Sequence, residues 1–180
     1  MRLVFLFFFR IFAKIFKMSN IAVFPGSFDP ITKGHENIVR RALPLFDKII
    51  VAVGHNVDKK SLFSIEQRVD FIKKTFADTP KVAVETYTGL TVDFGKKHQA
   101  SFLLRGLRNV SDFEFERNIA SVNKDLYPNV ETIFMCTELT YSHISSTVVR
   151  DVLLHGGDVT AFLPNVLKED VEKIKPSLRA

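Results

Sequence analysis

Five short runs of consecutive apolar residues, separated by stretches of helical periodicity, constrain the fold of this chain more than any other feature. Ile21-Ala22-Val23-Phe24, Ile49 to Val53, Val82-Ala83-Val84, Phe102-Leu103-Leu104 and residues 131–136 each read as a buried strand. Between them, residues 35–46 place Ile38, Ala42, Leu45 and Phe46 on one helical face. Ile65, Val69, Ile72 and Phe76 form a second stripe, with Ser64 as its N-cap. A short helix falls around 91–98, and Phe115, Ile119, Val122 and Leu126 mark the next. Val148, Val149, Val152 and Leu153 belong to a helix stopped by Gly156-Gly157, and a last helix follows Pro164. Strands that are apolar at consecutive positions need cover on both faces, which is the condition of a parallel sheet. The expected fold class is therefore α/β, a doubly wound five-stranded parallel sheet with helices on both faces. Ligands of such sheets bind beyond the carboxyl ends of the strands, near the point where strand order reverses.

The length of 180 residues and a hydrophobic content of 46% suit one domain with a real core. The formal net charge of +5 is unevenly placed. Residues 1–17, MRLVFLFFFRIFAKIFK, carry Arg2, Arg10, Lys14 and Lys17 and no acid, so the remainder is nearly neutral. That distribution argues against a general nucleic-acid surface. The longest uncharged run of the leader, Leu3 to Phe9, is far shorter than the ~20 apolar residues of a membrane helix, and no small-residue cleavage site follows it. A basic amphipathic helix lying on a membrane is one reading of this segment. The expectation adopted is an extension, disordered or upstream of the true start, with the domain running from Met18 to Ala180. Cys136 has no partner for an internal disulfide and falls in an apolar run, so it is expected to be a small buried hydrophobe in a reducing, cytoplasmic setting. No Cys/His cluster has zinc-site spacing.

The loop after the first strand, Pro25-Gly26-Ser27-Phe28-Asp29-Pro30-Ile31-Thr32-Lys33-Gly34-His35, runs into a helix. Gly26 allows a tight turn and close approach to a ligand, Thr32 can cap the helix, and His35 falls in its first turn. Free amides and the helix dipole favour an anion there, and a histidine beside them can donate to a phosphate oxygen. Arg105-Gly106-Leu107-Arg108 puts two guanidinium forks around a glycine after a strand end, a geometry suited to phosphate oxygens. Ser145, Ser146 and Thr147 supply hydroxyls and amides at a second helix start. Lys59 and Lys60 follow the second strand.

Thr32-Lys33-Gly34-His35 resembles the Ser/Thr-x-Gly-His signature of the nucleotidyltransferase superfamily. GSFDPITKGH, RGLRNVSDFEFE (105–116), YSHISSTVVR (141–150) and GGDVTAFLP (156–164) together resemble the phosphopantetheine adenylyltransferases of coenzyme A synthesis. The likeness runs from Met18 to about Lys173 and has no counterpart for the leader. It implies a Rossmann-like fold and transfer of the adenylyl group of ATP to 4′-phosphopantetheine, releasing pyrophosphate. His35 is then the transition-state stabiliser. Contacts to ATP would come from Ser27, Phe28, His35, Gly106, Leu107, Arg108, Glu116, Tyr141, Ser142, His143, Ile144, Ser145, Ser146 and Thr147. Contacts to the acceptor would come from Ser27, Lys59, Thr91 and Arg105. Tyr141 departs from the Trp of many relatives. The resemblance also implies a homohexamer, and Mg²⁺ carried mainly by the ATP phosphates with no protein ligand to the metal. Other readings are a related adenylyl- or cytidylyltransferase, for example one acting on nicotinamide mononucleotide, and a nucleotide-binding regulator without catalysis.

Overall fold

The computed structural model describes residues 20–55 and 61–174. Five strands alternate with helices: β1 (Ile21–Gly26), α1 (Lys33–Ala42), β2 (Lys48–Gly54), α2 (Ile65–Thr75), β3 (Val82–Tyr87), α3 (Thr91–Lys97), β4 (Phe102–Leu107), α4 (Val110–Leu126), β5 (Glu131–Cys136), α5 (Ser146–Leu154) and α6 (Lys168–Ile174). All neighbouring strands are parallel, in the order β3-β2-β1-β4-β5. The chain builds outward from β1 to β3, then crosses back to lay β4 on the other side of β1. That reversal is the switch point of a doubly wound sheet.

The strands divide their side chains between two cores, as a two-residue period requires. Ala22, Phe24, Ile49, Val51, Val53 and Leu104 pack with α1, α2, α5 and α6 on one face. Val23, Ile50, Ala52 and Leu103 pack with Val92 and Phe94 of α3 on the other. Pairing across the switch point is short. Every residue of β1 pairs with β2, yet β1 meets β4 only at Ala22–Phe102 and Val23–Leu103. Beyond those pairs the two strands lie unpaired along their carboxyl halves, and the Arg105 guanidinium bridges the gap to the Pro25 carbonyl at 2.7 Å.

Several sequence expectations are corrected. The helix expected over 35–46 ends at Ala42 and passes into a 3₁₀ turn, Leu43–Leu45, where Pro44 has no N–H to continue the ladder and Leu45 is exposed. Arg105, Gly106 and Leu107 belong to β4 and pair with Phe134, Met135 and Cys136 instead of forming a loop after it. Cys136, at the strand end, is exposed rather than buried. The stripe expected over Phe115 to Leu126 does form a helix, α4, on which Phe115 is 66% accessible and Val122 and Leu126 similarly open.

Gly26 and Gly106, which lie at the carboxyl ends of β1 and β4, are set by close approach, not by turn geometry. A Cβ on Gly106 would meet Ile38 Cγ1 of α1 at 3.2 Å. A Cβ on Gly26 would meet the buried Phe28 ring at 2.9 Å. Phe28 has φ +47°, a left-handed conformation unusual for an aromatic residue. Its ring also stands 5.1 Å from that of His35, centroid to centroid. Gly26→Ala should therefore displace this ring and lower stability by about 1–3 kcal/mol, the scale of an overpacked core site. Urea unfolding of the variant against the parent measures it.

Candidate active site

The loop between β1 and α1 is held from several directions. Thr32 caps α1, its Oγ1 accepting from the His35 N–H at 3.5 Å, while its own N–H donates to His35 Nδ1 at 3.1 Å. This is a capping box in which an imidazole takes the place usually filled by Glu or Gln. Because Nδ1 accepts, neutral His35 carries its proton on Nε2. Asp29, 4% accessible, accepts from the N–H groups of Leu62 and Phe63 at 2.9 Å each. Arg150 of α5 donates to the Asp29 carbonyl at 2.7 Å, and Ser146 Oγ to the Pro30 carbonyl at 2.8 Å. Arg68 of α2 donates to the Ser27 carbonyl at 2.8 Å. Ser27 itself is exposed.

Two cavities open where β1 and β4 stop pairing. The inner one, about 270 Å³, is lined by Phe24 to Phe28, Thr32, Gly34, His35, Ile38, Arg105, Gly106, Arg108, Thr137 and Ile144. The outer one, about 590 Å³, runs over the other face past Gly54, His55, Tyr87, Thr88, Thr91, Glu116, Ile119, Asn123 and Thr132. They share Pro25, Gly26, Ser27 and Arg105 as a common wall.

The inner cavity thus gathers Ser27, Phe28, His35, Arg105, Gly106, Arg108 and Ile144 of the expected site residues. The outer gathers Thr91 and Glu116. The Thr91 hydroxyl is hydrogen-bonded to Tyr87 Oη at 2.9 Å. Glu116, expected at ATP, forms a two-point pair with Arg105, whose Nε donates at 2.7 Å and whose second nitrogen bonds the other carboxylate oxygen. Arg108 forks onto Asp112 through Nε and Nη2, at 2.9 Å each, and holds that carboxyl below its usual range. Leu107 is buried in β4, and its carbonyl accepts from Thr137. Tyr141, Ser142, His143, Ser145, Ser146 and Thr147 lie at the turn and helix start that adjoin the inner cavity through Ile144 and do not themselves line it. Ser145 Oγ caps α5 at Val148 N. Lys59 and Lys60, and the leader 1–17, fall outside the described residues.

Sequence reasoning missed His55, Tyr87, Asn123 and Thr132 in the outer cavity, because nothing local distinguishes them from ordinary strand-end and helix residues. It missed Arg68 for the same reason, and Arg150, which closes the quoted 141–150 motif, because its bond to the Asp29 carbonyl spans 121 positions. Asp29 stood inside a quoted motif, but its bonds to Leu62 and Phe63 span more than thirty positions.

The cytidylyltransferase-like family profile matches residues 23–152. A phosphopantetheine adenylyltransferase of Flavobacterium johnsoniae is 54% identical over 147 residues, spanning 82% of this chain and 96% of that protein. One of Clostridium perfringens is 46% identical over 160 residues, spanning 89% and 98%. The chain belongs to the phosphopantetheine adenylyltransferase family. Among solved structures, a bifunctional NMN adenylyltransferase/ADP ribose pyrophosphatase from Francisella tularensis has the same fold, with a TM-score of 0.69 at 19% identity. It is covered over 50% of its length by 88% of this chain. A second structure of that enzyme, complexed with AMP and a manganese ion, has a TM-score of 0.63 at 19% identity, with 89% of this chain covering 52% of it. The segment matched by the family profile contains the whole β1–α1 loop, His35 included, and both arginines of the inner cavity.

Burial, then the nearby Arg108 and Arg105 guanidinium groups, push the His35 imidazole down to about 4 from an ordinary value of 6.5. His35 is therefore a neutral donor at pH 7. Above pH 6.5 it is neutral in both folded and unfolded chains. As pH falls from 6.5 towards 4, the unfolded chain takes up a proton that the fold refuses, so stability drops by at most about 1.4 kcal/mol per pH unit. His35→Gln should accordingly lose less melting temperature than the parent between pH 6.5 and 4.5, as read by thermal denaturation across that range.

Proposed function

We propose that the chain joins the AMP part of ATP to 4′-phosphopantetheine, giving dephospho-coenzyme A and pyrophosphate. The observation that carries this reading is the common wall: two cavities, each of ligand size, meet at Ser27 and Arg105. ATP occupies the inner cavity, with its phosphates against the α1 start, His35 and Arg108. The acceptor occupies the outer cavity, with its phosphate at Arg105 and Thr91 and, from beyond the described residues, Lys59.

A phosphate oxygen of the acceptor attacks the α-phosphorus of ATP in line. One P–O bond forms, the bond to the β-phosphate bridging oxygen breaks, and pyrophosphate leaves with that electron pair. The nucleophile is already anionic, so no general base is needed. The protein must hold two polyanions in contact and stabilise charge on the transferring group. His35 suits the second of these roles, because the Thr32 N–H fixes its ring and Nε2–H remains to donate to an α-phosphate oxygen. A neutral donor also avoids drawing a proton-dependent charge into the site at physiological pH. Arg105 keeps unused N–H groups after its bonds to Glu116 and Pro25, and these are available to the acceptor phosphate.

The polar lining of the inner cavity consists of hydroxyls, His35 and two arginines, with no carboxylate among the described residues. That donor set fits Mg²⁺ held by ATP phosphate oxygens and water rather than by a protein cage. When bound, the ion neutralises charge on the phosphates. Self-association is supported by the open stripe of Phe115, Val122 and Leu126 on α4, an apolar surface of the kind that contacts cover, and the homohexamer is what the family resemblance implies. A cytoplasmic location goes with ATP as substrate.

The reading is tested by incubating the purified full chain with ATP, Mg²⁺ and 4′-phosphopantetheine and identifying products by mass. Pyrophosphate with dephospho-coenzyme A is expected; product only from nicotinamide mononucleotide favours the related transferase, and ATP binding without pyrophosphate favours a regulator. His35→Ala should lower kcat by about 10²–10³, the loss seen on removing one transition-state donor, with the circular dichroism unchanged. Arg105→Ala should raise KM for the acceptor more than KM for ATP in steady-state assays. The opposite order would exchange the two cavities.

A further inference from the structure

Arg68 is among the few charged side chains sealed inside the molecule, at 3% accessibility, and the chemistry above makes no use of it. It lies on the first turns of α2, away from both cavities' linings. Among the described residues it forms no ion pair. Its side chain donates instead to two backbone carbonyls, Ser27 through Nη1 at 2.8 Å and Ser64 through Nε at 3.4 Å. A buried guanidinium is expensive to desolvate, and charge-assisted bonds to carbonyls are what it receives in return.

The carbonyl it grips belongs to the Ser27–Phe28 peptide. Phe28 is left-handed at φ +47°, a conformation that is unfavourable for such a residue and persists only where its surroundings over-determine it. The surroundings here are explicit. Gly26 leaves room for the Phe28 ring, the ring stands against His35, and Arg68 fixes the preceding carbonyl. The link between loop and α2 runs in both directions, since the Asp29 carboxylate takes the N–H groups of Leu62 and Phe63 just before that helix. Donation to the Ser27 carbonyl also polarises the peptide, strengthening the Phe28 N–H as a donor.

We infer that Arg68 is a positioning residue for the transfer reaction: from outside the site, it holds the Ser27–Phe28 peptide in the left-handed turn that orients Ser27 between the two cavities and the Phe28 ring against His35. This rests on the functional reading above. A shift of this peptide moves Ser27, which borders both ligands, and the packing of the His35 ring together.

The test uses Arg68→Lys, which keeps charge and length but loses the fork, and Arg68→Met, which removes the charge. Both are compared with the parent full chain for kcat, both Michaelis constants, ATP affinity by calorimetry and melting temperature. For Arg68→Lys, kcat per folded molecule is expected to fall on the order of 10–100-fold, by a larger factor than either KM changes, as for a misplaced reacting geometry. Arg68→Met should fall further, or fail to fold, in which case the Lys variant decides alone. A kcat in Arg68→Lys within about twofold of the parent, whatever its melting temperature, or a loss confined to KM, overturns the assignment. A parent that forms no dephospho-coenzyme A refutes the functional reading instead. The positioning role is then judged on ATP affinity, which should weaken in Arg68→Lys and which, if unchanged, overturns it.

Discussion

The short pairing between β1 and β4 governs the rest of this molecule. Two residue pairs join the strands at the switch point, and beyond them each strand is free of the other. Had the ladder continued, Pro25, Gly26 and Arg105 would have committed their backbone groups to one another and closed the rim. Instead the carboxyl halves of β1 and β4 border two cavities, and a side chain, Arg105, makes the link that the backbone does not. Its guanidinium is pinned by Glu116 on one side and by a carbonyl on the other, which fixes its place on the common wall of the two cavities.

The loop leaving β1 shows how a site can be rigid without regular structure. Its donors and acceptors are taken up by α1, α2, α5 and the 62–63 segment, and its backbone includes a left-handed phenylalanine that only this network sustains. The same network determines the electrostatics. Packing His35 beneath Phe28, beside two arginines, keeps the imidazole neutral, and the Thr32 N–H selects its tautomer. A histidine at the start of an open, solvated helix would titrate near neutrality and could carry its proton on either nitrogen.

Much of the architecture was legible from the pattern of apolar residues, because a parallel strand covered on both faces has no polar side to display. The caps at Thr32 and Ser64 were legible too, since capping is a local interaction. Where reading failed, a longer-range contact had decided the outcome. The apolar stripe of α4 marks a helix correctly, but Phe115, Val122 and Leu126 lie outward while Ile119 borders the outer cavity beside Glu116 and Asn123. Gly106 looked like a flexible joint and is a contact point for Ile38, because α1 crosses the sheet at that residue.

By itself the sequence determined the order and type of the elements and marked candidate residues for phosphate chemistry, since periodicity, capping and side-chain type act within a few positions of the chain. Only the tertiary structure decided that Arg105 faces Glu116, that Arg68 reaches Ser27 across forty-one positions, and that Ser27 borders two cavities at once. Those relations depend on where β4 settles beside β1, and no run of residues in one dimension records a distance between segments that meet only on folding.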